Sequence, residues 1–198
     1  MACVRAWTRQ VEAVARELEQ TGRYEVQERY VREKNAEISD YYLGLYRWLT
    51  EGCRSRGLAR IPESGAYPIW LALSEAQKLP AAPGCVTFEL EVPEEHLFVL
   101  DYDLWGYRVN NWYVPLDAAD EAAHDEEIRR LGIVNEATLV MGDKGNFYPH
   151  MRQKLVRSWD RLFEGANEDV DHNVGVIWEI RPEWVLGIER FEGEGDGA

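Results

Sequence analysis

The chain has 198 residues, 45% of them hydrophobic, including 8 Trp and 10 Tyr, enough apolar surface to bury a core without disulfides. Its 36 acidic and 22 basic residues give a formal net charge of −14. That excess repels phosphate backbones and anionic membranes, so general nucleic-acid binding is excluded, although a local basic groove can survive inside an acidic whole.

Residues 3–8 read as a short strand ending at Thr8. A helix follows with Val11, Val14, Ala15 and Leu18 at helical spacing, closed by Gly22. Arg23 to Val26 can form a second short strand. From Glu28 to Arg56 the sequence predicts one long helix, with Ile38, Tyr41, Tyr42, Leu45, Trp48, Leu49 and Cys53 near one face and Gly57 as its stop. Tyr67 to Leu73 reads as a strand, and Ser74 is placed to cap a short helix through Lys78.

After the Pro80–Gly84 loop, Val86, Phe88, Leu90 and Val92 alternate with Thr87, Glu89 and Glu91, the pattern of a half-buried strand. Leu97 to Leu100 is a further strand. Asp101 and Asp103 are spaced either to cap the next helix or to face a cation together, and capping is preferred because no third ligand stands nearby. Residues 117–130 are helical in composition and 131–150 loop-like. A helix carrying Leu155, Trp159, Leu162 and Phe163 precedes the acidic loop 164–171. Val174 to Ile180 and Trp184 to Phe191 close the fold. Trp48, Trp105, Trp159 and Trp178 are expected in the core.

The sequence therefore predicts an α+β fold with a mixed, mainly antiparallel central sheet and helices packed on it. Residues 1–191 are expected to form one domain, with 192–198 a disordered, acidic, Gly-rich tail. Cys3, Cys53 and Cys85 are odd in number and far apart, and the first residues lack the apolar run of a signal peptide. A reducing cytoplasm is the expected setting. The histidines His96, His124, His150 and His172 show no metal-ligand spacing, and no metal is expected. A phosphate-binding P-loop, a dinucleotide glycine fingerprint and a Gly-x-Ser-x-Gly elbow are absent from the sequence.

Trp7-Thr8-Arg9-Gln10, Asp101-Tyr102-Asp103-Leu104-Trp105, Asn111-Trp112-Tyr113-Val114-Pro115, Ser158-Trp159-Asp160-Arg161-Leu162-Phe163, Ile177-Trp178-Glu179-Ile180 and Glu183-Trp184-Val185 occur in that order. Together they resemble a bacterial family known only as a domain of unknown function, over nearly the whole chain. More distantly, the order of Val4–Thr8, the helix to Leu18, Gly22, Tyr67–Ala72, Val86–Pro93 and Val174–Ile188 resembles the ADP-ribosyltransferase fold. The likeness departs at two positions. Arg5 stands one residue away from the fold's usual first-strand His or Arg, and Asn173 or Val174 occupies the place of its usual acidic residue, with Glu179 later.

That resemblance implies NAD as cofactor and Glu179 as the carboxylate that steadies the nicotinamide ribose. Arg5 would hold the diphosphate, with Thr8 and Gln10 beside it if the three share a face. Tyr67, Trp70 and Trp178 suit stacking on a planar ring or packing in a core. The activity that the resemblance implies is transfer of ADP-ribose from NAD to a macromolecule, as in toxin or defence proteins, and the expected partners are a small nucleotide ligand and a protein. A reading from a different class is a non-catalytic acidic protein, an immunity factor or DNA-mimic inhibitor, that binds a basic protein partner.

Overall fold

The computed structural model describes residues 2–192, so the predicted tail falls almost wholly outside the described residues. The fold is α+β, as the sequence predicts. Among the described residues two compact units make it up, one from residues 2–99 and 169–192 and the other from 100–168.

In the first unit, β1 (Cys3–Val11) runs through the predicted strand and past Thr8, into α1 (Glu12–Thr21). Gly22 ends α1 in the left-handed conformation at φ 72°, its N–H bonded to Leu18 O, which an L side chain would resist. Of the predicted strand after it, only Tyr24 pairs, bridging to Ile180.

The expected long helix is broken into α2 (Glu28–Asn35) and α3 (Ser39–Arg56). Asn35 turns its amide back onto Val31 O, and Ala36 takes φ 46°. The break is a local polar competition with the helix, and apolar spacing that continues across it does not register it. Then come β2 (Ile69–Leu71) and β3 (Cys85–Pro93), with turns in place of the helix expected after Ser74. β4 (Phe98–Asp101) carries the chain out of this unit, and β5 (Asn173–Ile177) and β6 (Val185–Arg190) return to it.

In place of one central sheet there are two three-stranded sheets, ordered β1-β3-β6 and β2-β5-β4. β1 with β3, β3 with β6 and β2 with β5 all pair antiparallel. A bridge joins the sheets where Trp7 N donates to Ala72 O at 2.9 Å and Ala72 N to Trp7 O at 2.8 Å. The alternation read from β3 holds: Val86, Phe88, Leu90 and Val92 are buried in one core with Ala6, Ile69, Leu71, Ile177 and Ile180. α1 adds Val14, Ala15 and Leu18 to it. Each fully buried large apolar side chain contributes about 1.5–3 kcal/mol, so this core holds the unit together.

The second unit is helical: α4 (Tyr102–Val109), α5 (Ala118–Arg130), the single turns α6 (Thr138–Met141) and α7 (Lys144–Phe147), and α8 (Pro149–Ser158). Asp101 caps α4, accepting from Asp103 N at 2.8 Å and Leu104 N at 3.2 Å. Trp105, Trp159 and Trp178 are buried, while Trp48 is only partly so.

Candidate functional site

Strand parity separates the predicted nucleotide residues. Because β1 continues to Val11, Thr8 and Gln10 share one face, where Gln10 Nε2 donates to Thr8 Oγ1 at 2.8 Å. Arg5 lies on the opposite face, its Nε on Glu89 Oε1 at 2.6 Å and its guanidinium 5.4 Å from the Trp7 ring. Tyr67 is buried and its hydroxyl sits between Arg47 Nη2 and Glu28 Oε2, each at 2.9 Å. Trp70 is half-buried on the side of β2 away from Ile69 and Leu71, with Tyr46 at 6.3 Å.

Glu179, just past the end of β5, is 2% exposed. Its Oε1 accepts from Arg181 Nε at 3.0 Å and Nη2 at 2.7 Å, and Arg23 Nε lies 2.8 Å from Oε2. Both arginines are half-exposed, and Arg23 also pairs with Glu25. His96 stands beneath, Nδ1 3.7 Å from Glu179 Oε1 and its ring 4.9 Å from that of Trp184. Burial, and then the Arg181 charge, hold the His96 pKa below its ordinary value, so the ring is neutral near pH 7. The sequence points to Glu179, but not to Arg23, Arg181 or His96. Their convergence depends on the bridge between Tyr24 and Ile180, a pairing made across most of the chain.

The second unit has a separate charged cluster. The Tyr113 ring stacks on His124 at 3.9 Å, and the cations of Lys154 and Arg161 each lie 5.1 Å from its centroid. His124 Nε2 is 2.7 Å from Glu136 Oε2. Asp120 accepts from Leu116 N, the Tyr113 hydroxyl and Arg161 Nη1, each at 2.9 Å. The Leu116 bond, followed by Tyr113 and Arg161, holds its carboxyl below the usual range. Among the described residues no group of three or more His, Cys, Asp or Glu side chains is arranged to hold a metal ion.

A family model matches residues 5–186. The chain belongs to the family described as Domain of unknown function (DUF3841). No curated protein and no solved structure matches it. In this DUF3841 chain no helix among the described residues is long and apolar enough to cross a membrane.

The DUF3841 sequence also carries a cationic run along and just after α8, outside the residues expected to bind. Between His150 and Arg161 stand Arg152, Lys154, Arg157 and Arg161 against the single acid Asp160. That local excess of cations on a chain of net charge −14 is a signal legible without the structure.

Proposed function

We propose that the protein works by binding rather than by chemistry, as an acidic interaction protein that engages a basic protein partner through α5. The observation that supports this reading is how the acids of that helix divide. Asp120, Glu121 and Glu127 are drawn inward, to Tyr113 and Arg161, to Tyr107 and to Lys154. Asp117, which caps the helix, Asp125, and Glu126, which pairs with Arg129, are exposed, and their exposed neighbours Ala118, Ala119, Ala122 and Ala123 are small. A low-relief face of this kind lets a basic surface approach closely, and opposite charge speeds encounter and sets register. Glu179 fits the same reading, because its carboxylate is buried and already paired with two guanidiniums.

The test is titration with a fluorescent lysine-rich peptide at rising salt. Binding should weaken as salt screens it, and Asp125→Lys/Glu126→Lys should weaken it far more than Glu33→Lys/Glu37→Lys, which changes the net charge equally. Equal weakening by the two pairs would reduce the effect to bulk charge and end the proposal.

The ADP-ribosyltransferase reading, with its fold and its NAD site, is a second proposal. The cluster of Glu179, His96, Arg23 and Arg181 favours it, since buried titratable groups beside charged partners are typical of active sites. The half-exposed arginine arms would have to swing away for a ribose to reach Glu179. Arg5 acts there only if the ligand spans separate parts of the first unit.

A further inference from the structure

The outer side of α8 borders two open cavities, of about 860 and 350 Å³, that share His150, Gln153 and Arg157. The larger also takes in Gly145, Asn146, Pro149, Arg152 and Val156, and its volume lies within the span of small-molecule sites, roughly 300–1,000 Å³. Three cations of the second unit are spent in ion pairs: Lys154 on Glu127, Arg161 on Asp120, Arg129 on Glu126. Arg152 and Arg157 are exposed and their guanidiniums have no ion-pair or hydrogen-bond partner among the described residues, yet both line the larger cavity.

Two further features fit an anion. No side chain caps the N-terminus of α8 and its first turn carries no acid, so the positive end of the helix dipole opens at Pro149, inside the cavity wall. Gly145 is buried, and a Cβ there would collide with Leu139 O and stand 2.8 Å from Arg152 Cδ. The absent side chain is what lets the arginine stem lie against the α7 turn, which fixes where its guanidinium emerges.

We propose that the larger cavity binds a phosphate-bearing small molecule of nucleotide size, its diphosphate held between the Arg152 and Arg157 guanidiniums. A planar guanidinium presents paired N–H donors that match two phosphate oxygens. The Asn146 and Gln153 amides supply neutral donors, and Pro149 and Val156 form an apolar wall for the base or sugar. This inference is independent of the α5 proposal, which concerns another face and a ligand of opposite charge.

The experiment is calorimetric titration of the whole chain with ADP, adenosine and inorganic phosphate, at low and high salt. ADP should bind, more weakly as salt rises, and adenosine should bind far less well. Phosphate alone should compete with ADP. Loss of each guanidinium should weaken ADP roughly tenfold, so Arg152→Gln/Arg157→Gln should nearly abolish binding. The charge-matched Arg16→Gln/Lys34→Gln should leave it unchanged. Both arginines are exposed, so the variant should melt as the parent does. No heat with millimolar ADP, equal binding of adenosine, or unchanged affinity in the double variant would each overturn the proposal. An oligonucleotide that binds far more tightly than ADP would overturn it in favour of a nucleic-acid groove.

Discussion

Replacing Thr50 with Val should destabilise the first unit severely for so small a change. Thr50 and Trp178 are both buried, at 2% and 1% exposure. The Trp178 indole N–H donates to Thr50 Oγ1 at 2.8 Å, and the Thr50 hydroxyl donates to Ala66 O at 3.0 Å. Valine keeps the shape and removes both bonds, leaving a buried N–H and a half-buried carbonyl unpaired. A buried orphaned group costs about 1–3 kcal/mol and the half-buried carbonyl costs less, so the loss should be about 2–4 kcal/mol. For a chain of this size that is a fall in Tm of about 4–16 °C. Thr50→Ser keeps the hydroxyl and should cost about 1 kcal/mol. Calorimetry and urea titration of the three proteins measure this. A Thr50→Val protein within about 0.5 kcal/mol of the parent would refute the reasoning and free Trp178, and so the neighbouring Glu179, from this anchor.

Three other outcomes follow from particular side chains. His96 is held neutral in the fold, whereas an unfolded histidine takes a proton near pH 6.5. The unfolded chain therefore binds more protons below that pH. Its contribution to stability is fully present above about pH 6.5 and is lost as pH falls through the lower folded value. Melts from about pH 7.5 to 5.5 should show this fall, and His96→Gln should flatten it. Burial pushes the Cys53 thiol up to about 12, so a thiol reagent should label the exposed Cys3 in the native protein and Cys53 only after unfolding. Gly145→Ala should cost about 1–3 kcal/mol through its collision with Leu139 O, read by urea titration.

The local features were legible where local chemistry decides them. The alternation of Val86 to Val92, the stops at Gly22 and Gly57, and the Asp101 cap all stand where the sequence puts them. The kink at Asn35 and Ala36 was not legible, because a back-bonded amide leaves the apolar period intact. Nor was the division of the sheet, which rests on pairings between distant strands. At the candidate sites, the fold resemblance pointed to Glu179 but could not give its partners Arg23 and Arg181. Arg5 stands an odd number of positions from Thr8 and Gln10, so continuous strand pairing along β1 sets it on the face away from them. The free arginines of α8 emerge only once the structure shows which cations are already paired.

Nicotinamide release from labelled NAD, by the wild-type chain and by Glu179→Gln, tests most directly whether this protein binds or catalyses. With the Glu179 carboxylate buried under Arg23 and Arg181, the account predicts no release above the enzyme-free rate from either protein, with or without a lysine-rich target. Release by the wild type that disappears in Glu179→Gln would contradict it and establish Glu179 as the catalytic residue.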